Sequence, residues 1–200
     1  INTMMAKGAI PFDNPYSLWT VGIPMEDYQT KVLENASLVI CIGYDIIEYA
    51  PNIWHLNNAD IIHIDSLPAD INKTYQPEVE VVGEITDSLD RIISKAARLL
   101  EPTYALKIRE KMVAEHEQYR NDTSFPMKPQ KVLIDAREVM GPDDIVITDV
   151  GANKVWTARH YNCYKPNTCI ISNGFATMGI AVPGAIAANL VHPDRKVLAI

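Results

Sequence analysis

The sequence predicts two open α/β units, each built on a parallel sheet. Three observations carry this prediction. Short, largely apolar runs recur at residues 38–43, 61–65, 79–82, 145–149, 168–171 and 196–200, and unbroken runs of this kind mark strands of buried parallel sheets. Segments with helical spacing lie between and after them. In the second half strand and helix alternate strictly, the order that a parallel sheet with right-handed crossovers requires.

Residues 4–8 lead into a turn-rich stretch, 9–15, with Pro11 and Pro15, and residues 16–22 read as loop or a short helical turn. Residues 27–35 are polar with helical spacing, and Asn35-Ala36 ends them. The run 38–43 has the apolarity of a central strand buried on both faces. Turn signals at Asn57-Asn58, Pro68 and Pro77 set off the strands at 61–65 and 79–82. Ile85, Leu89, Ile92, Ile93, Ala96, Leu99 and Leu100 then fall on one helical face, with Asp90, Arg91, Lys95 and Arg98 on the other. Pro102 closes that helix.

Residues 104–119 are charged and helical with little apolar stripe, and read as a surface connector; 121–126 read as loop. Pro129 suits a first helical turn. Val132, Leu133, Ala136, Val139 and Met140 form an apolar face, and Gly141-Pro142 stops the helix. Strands at 145–149, 168–171 and 196–200 then alternate with helices at 153–160 and 180–191, the last of these buried. The expected division is a central domain over 1–101, incomplete at its start, a connector over 102–127 and a second domain over 128–200.

Bulk properties exclude several functions. The formal charge is −7 over 200 residues. Acids and bases are interspersed, which leaves no basic footprint for nucleic acid or an anionic membrane. Cys41, Cys163 and Cys169 are odd in number and lack metal-site spacing, so they read as reduced thiols of a cytoplasmic protein. No signal-peptide pattern is visible, which leaves the glycosylation patterns at Asn35, Asn72 and Asn121 without a secretory context. The longest apolar stretch, 178–191, contains Pro183 and is too short to span a bilayer. The chain opens on a strand-like 1–5 without an initiator methionine and closes inside an apolar run, so a piece of a longer protein is expected.

The chemistry concentrates in Ser172-Asn173-Gly174-Phe175-Ala176-Thr177-Met178-Gly179-Ile180-Ala181-Val182-Pro183. This segment leaves a strand and enters a helix, the place where α/β proteins hold ligands. Gly174, Gly179 and Gly184 allow unusual dihedrals and close backbone approach; the bland alternative is that small residues only let the helix pack tightly on the sheet. A second strand-to-helix turn, 149–153, points the same way. Backbone N–H groups at such helix starts favour phosphate.

Ser-Asn-Gly-x-x-Thr-Met-Gly-x-Ala-x-Pro, together with the upstream Asp149-Val150-Gly151-Ala152-Asn153-Lys154-Val155-Trp156, resembles the thiamin-diphosphate enzymes of the acetolactate synthase group. The resemblance runs in order along nearly the whole chain. It implies a Rossmann-like middle domain followed by the first half of the thiamin-diphosphate-binding domain. It implies that Gly151, Ala152 and Asn153 lie at the cofactor diphosphate, and that Asn173, Gly174, Ala176 and Met178 serve in the second turn. Met178 matches the apolar residue that props the bent cofactor, and the Ala176 carbonyl matches the acceptor for its 4′-amino group. Asn153 can donate to a phosphate oxygen and Lys154 adds charge, whereas Ala152 stands where a glutamine is commoner and cannot donate from its side chain. An ordinary helix N-cap is the alternative for Asn153.

The activity implied is condensation of two pyruvates to 2-acetolactate and CO2 through a cofactor-bound hydroxyethyl carbanion. Gly43-Tyr44-Asp45-Ile46-Ile47-Glu48-Tyr49-Ala50-Pro51, then Trp54, and Ser172-Asn173-Gly174 are similar to the catabolic members that lack FAD; Gly184 departs from the tryptophan many of those carry. The resemblance places the Mg2+ ligands beyond Ile200 and the activating glutamate ahead of Ile1, on a neighbouring subunit. It therefore implies no catalytic residue and no metal ligand within these residues, an inactive chain in isolation, and a homodimer or homotetramer. Sister chemistries, pyruvate oxidase or a 2-oxoacid decarboxylase, remain open, as does a non-catalytic interaction module. Gly43 and Asp65 imitate a dinucleotide site, but no G-x-G-x-x-G accompanies them. His55, His63, His116, His160 and His192 form no acid/base or metal pair in sequence.

Overall fold

The computed structural model describes residues 1–21, 27–97 and 102–200. Gly22 and the helix-face positions Arg98, Leu99 and Leu100 lie outside them. Two compact units form: one is Thr30–Thr103, the other joins Ile1–Gln29 to Tyr104–Ile200. Packing thus groups the first 29 residues with the second half, where the sequence division assigns them to the first domain. Lys7 illustrates this grouping: its buried Nζ donates to the Ala158 carbonyl at 2.8 Å.

In the unit Thr30–Thr103, helix α1 (Tyr28–Leu33) leads to β1 (Leu38–Ile42), the short α2 (Pro51–Trp54), β2 (Asp60–Asp65), β3 (Val79–Val82) and α3 (Ile85–Ile93). The strands form a parallel sheet in the order β1-β2-β3. The sequence casts β1 as a central strand buried on both faces; it is an edge strand, and Leu38, Ile40 and Ile42 are about half exposed on one face. β2 is central instead, with Ile61 and Ile64 buried. The other face packs around Tyr75, whose hydroxyl meets His63 Nδ1 at 2.9 Å. Tyr44 and Trp54 complete an aromatic cluster there, with Trp54 Nε1 donating to the Tyr44 hydroxyl at 2.9 Å.

Helix α3 is shorter than its periodicity suggests. The Glu84 side chain caps it by accepting from the Asp87 amide, and Ser94 ends it, so Ala96 lies outside the helix. None of its residues is buried, and Ile92 and Ile93 are exposed. The amphipathic spacing is real, but the stripe is covered only in part: Ile85 and Leu89 are half-buried where α3 packs on β2, while Ile92 and Ile93 stay exposed.

In the second unit, α4 (Thr103–Gln118), α5 (Pro129–Val139), β4 (Ile145–Thr148), α6 (Ala152–His160), β5 (Cys169–Ile171), α7 (Ala181–Val191) and β6 (Val197–Ala199) follow in turn. The sheet is parallel, in the order β5-β4-β6, with all four residues of β4 buried. Met4, Leu133, Met140, Val146, Ala158, Tyr161, Cys163, Cys169 and Ile171 form the core. Burial pushes the Cys169 thiol up to about 12 and the Cys41 thiol of the first sheet up to about 11, so neither is a reactive thiolate near neutral pH.

Three helix faces differ from expectation. In α5 the buried residues are Leu133, Ile134 and Arg137, while Val132 and Val139 are exposed. Arg137 turns inward because its guanidinium lies over the Tyr161 ring and donates to the carbonyls of Met140 and Gly141. In α4, Ile108, Met112 and His116 are buried at four-residue spacing, a narrow stripe masked in the sequence by surrounding charges. Helix α7 reads as buried, yet only Ala181 is; Val182, Ile186, Leu190 and Val191 are exposed. Among the described residues no helix is long and apolar enough to cross a membrane.

Candidate functional site

Two turns leave the C-terminal ends of neighbouring strands in the second sheet. The first runs from the end of β4 through Asp149, Val150 and Gly151 into α6. Gly151 is the N-cap of α6, with φ +147°, and no side chain caps the helix. A Cβ at Gly151 would stand 2.8 Å from Asn153 Oδ1, so both conformation and space require glycine. The first amides of α6 have no carbonyl partner within the helix and carry the positive end of its dipole. This is a place for an anion.

The second turn runs from the end of β5 through residues 172–180 into α7. Gly174 and Gly179 adopt φ of +72° and +90°. Between them Phe175 is 88% and Met178 79% exposed. Gly184, one turn into α7, packs against Ile147 at 3.4 Å for an added Cβ. Close helix packing on the sheet therefore explains Gly184, whereas turn geometry explains Gly174 and Gly179.

The two turns are tied to each other. Asp149 Oδ1 accepts from the amides of Val150 and Gly179, each at 2.8 Å, and Oδ2 accepts from the Ala181 amide at 3.0 Å. These amides, chiefly those of Ala181 and Gly179, hold the Asp149 carboxyl below the usual carboxylate range. Lys154 Nζ donates to Asn173 Oδ1 at 2.8 Å. Asn153 Nδ2 points back at the strand ends, toward the carbonyls of Ile200 at 3.0 Å and Asp149 at 3.3 Å and the Thr148 hydroxyl at 3.2 Å.

The seven expected binding positions therefore gather on two linked turns. Gly151 and Ala152 sit exposed at the start of α6, while Asn173, Gly174, Ala176 and Met178 line the second turn. Asn153 differs in role from both sequence readings. It is not the N-cap, and its amide is committed to internal acceptors rather than presented to a ligand. Sequence reasoning missed Asp149 as a clasp, although an aspartate at the end of a strand is a recognised acceptor for turn amides. It also missed the stack of His116 on His160, 6.1 Å apart. Burial lowers both imidazoles, His160 to about 3, so this pair is neutral at pH 7 and serves as packing.

Family models match the two halves separately. The central domain of thiamine pyrophosphate enzymes matches residues 1–92, and their C-terminal TPP-binding domain matches residues 149–200. The chain belongs to the thiamine pyrophosphate enzymes. The match to the central domain includes the first 29 residues, so the family boundary and the packing boundary do not coincide. Among curated relatives of this family, the acetolactate synthase of Bacillus subtilis is 36% identical over all of this chain and 36% of its own length. A catabolic acetolactate synthase of Raoultella terrigena is 32% identical over 90% of this chain and 33% of its own. The acetolactate synthase large subunit of Corynebacterium glutamicum is 32% identical over the whole chain and 33% of its own. The chain thus spans about a third of the length of the relatives it matches.

The turn residues fit the cofactor's chemistry. An uncapped helix start behind a glycine suits a diphosphate, and a projecting methionine suits the face of an aromatic ring. Asp149, the carboxylate in this turn, has both oxygens on backbone amides, and among the described residues no cluster of His, Cys, Asp or Glu is arranged to hold a metal ion.

Proposed function

We propose that the protein carrying this chain is an acetolactate synthase of the catabolic, FAD-independent kind, joining two pyruvates to give 2-acetolactate and CO2. One observation supports this above the others: the two linked turns coincide with the motifs that resemble that group, and the relatives named above are acetolactate synthases. Thiamin diphosphate supplies the carbon centre at which a 2-oxo acid loses CO2 and its acyl equivalent is carried to an acceptor.

In this reading the residues of the chain bind and orient. The amides that open α6 behind Gly151 take the diphosphate, with Ala152 contributing backbone alone. Lys154 lends positive charge from the turn while Asn173 fixes its ammonium. Met178 supports the ring system, the Ala176 carbonyl accepts from the amino group, and Gly174 gives the backbone its close approach. Asn153 acts one step back, holding the ends of β4 and β6 together. Mg2+ enters through ligands outside these residues. We read the assembly as a homodimer or homotetramer, as the resemblance implies.

The test is product analysis on the full-length protein with pyruvate, thiamin diphosphate and Mg2+. Acetolactate is the expected product. Acetaldehyde or acetyl phosphate would assign the protein to a sister chemistry of the same family. The isolated 200 residues are expected to form none of the three.

A further inference from the structure

Met178 and Phe175 project from the second turn with little protein around them. Among the described residues, packing does not fix a side chain that is 79% exposed; the backbone beside it can. The residue after Met178 is Gly179, at φ +90°, and a Cβ there would meet nothing within 4 Å. Space is therefore not why a glycine stands at this point. Its conformation aims the amide at Asp149 Oδ1, 2.8 Å away, and two residues on the Ala181 amide reaches Asp149 Oδ2 at 3.0 Å. Asp149 lies thirty residues earlier in the chain, and its own amide donates to the Ile200 carbonyl at 2.7 Å. It is therefore anchored to the sheet through β6 and to the first turn through Val150.

We propose that Asp149 is a positioning residue for the cofactor: its carboxylate clasps Gly179 and Ala181 and thereby sets where Met178 stands relative to the start of α6. The inference rests on the thiamin-diphosphate reading of the two turns. Without the clasp, the second turn keeps its sequence and its exposed methionine but loses its fixed distance from the diphosphate end. Lys154–Asn173 is a second tie between the turns, but it joins two side-chain ends, whereas Asp149 engages the backbone itself.

The experiment measures thiamin-diphosphate affinity by titration calorimetry on the full-length protein, with amide hydrogen exchange at Gly179 and Ala181 as a second readout. Binding by the unaltered protein comes first; its failure would remove the functional reading rather than the clasp. Asp149→Ala is expected to weaken the cofactor about tenfold or more, since hydrogen bonds to a charged acceptor are lost. Both amides should exchange faster, and the KM for pyruvate should change little once cofactor is saturating. Asp149→Asn, which keeps one acceptor oxygen, should fall between and covers the case in which the alanine variant fails to fold. Faster exchange with unchanged cofactor affinity in either variant would make Asp149 a structural residue only and overturn the proposal. Unchanged exchange would overturn it as well.

Discussion

Each of the two sheets carries a glycine and an aspartate at the C-terminal ends of its strands, and the two pairs behave differently. In the first sheet Gly43 follows β1 and Asp65 ends β2. Among the described residues the Asp65 carboxylate accepts within its own loop, from the Ser66 hydroxyl at 3.1 Å and the Leu67 amide at 3.3 Å. The chain after Gly43 enters a loop packed under Tyr44 and Trp54, not a helix start. In the second sheet Gly151 opens a helix directly, and Asp149 reaches another turn thirty residues away. A glycine with an acid is thus a weak sign of a ligand site. The stronger sign is a glycine that opens a helix, braced by a carboxylate that holds a second turn in place.

The largest expected difference between the sheets lies in their strands. Ile147 of β4 is buried on the central strand, whereas Ile40 of β1 is half exposed on an edge. Ile147→Ala should cost about 2–5 kcal/mol through lost burial and a cavity. Ile40→Ala should cost within about 1 kcal/mol. Denaturant midpoints of the two variants check this. Equal losses would show that the bare face of the first sheet is covered in the whole protein, and would break the comparison.

A second contrast sets Gly151→Ala against Gly43→Ala. At Gly151 the new methyl meets Asn153 Oδ1 at 2.8 Å, and Asn153 is held by the ends of β4 and β6. Strain there moves the start of α6, so cofactor affinity should fall about tenfold. At Gly43, φ is +58° and the nearest atom to an added Cβ is Ile85 Cδ1 at 3.6 Å. That change should cost about 1–2 kcal/mol of stability through left-handed strain alone, with cofactor affinity unchanged. Calorimetric titration of both variants separates the two effects. A loss of affinity at Gly43 would mean that the first sheet's turn takes part in binding.

The same contrast explains what could be read from the sequence. Strand runs and both strand-to-helix turns were legible because apolar runs and glycine punctuation are local signals. The rank of a strand within its sheet was not: β1 and β4 have similar apolarity, yet β1 is an edge strand and β4 is central. Amphipathic spacing gave the existence of α3 and α5 but not their cover, because cover depends on what packs against them. In α5 the spacing favoured Val132 and Val139, while the Tyr161 ring drew Arg137 inward instead. The turns' positions were readable, but the bonds joining them were not. Asp149 and Gly179 are far apart in sequence, and Asn153 looks like a free donor until β6 is laid beside it.

The smallest expected effect sharpens the comparison through pH. The Asp149 carboxyl is held low by the Ala181, Gly179 and Val150 amides, below the value of about 3.9 for an unfolded aspartate. A carboxyl with a depressed folded value contributes stability that is fully present above the unfolded value and lost as pH falls through the folded one. The difference in unfolding midpoint between the unaltered protein and Asp149→Asn should therefore be constant at pH 5–8 and shrink below about pH 3.9. Asp144 is held low by the Gly141 and Lys196 amides and titrates in the same acid range. Because it is present in both proteins, its contribution cancels in the difference. A gap that stays constant into strong acid would mean that the charge on Asp149 does not hold the turns together. Shape and hydrogen bonding would then account for the clasp, and the loss in the asparagine variant would come from its Nδ2, a donor set against a backbone amide.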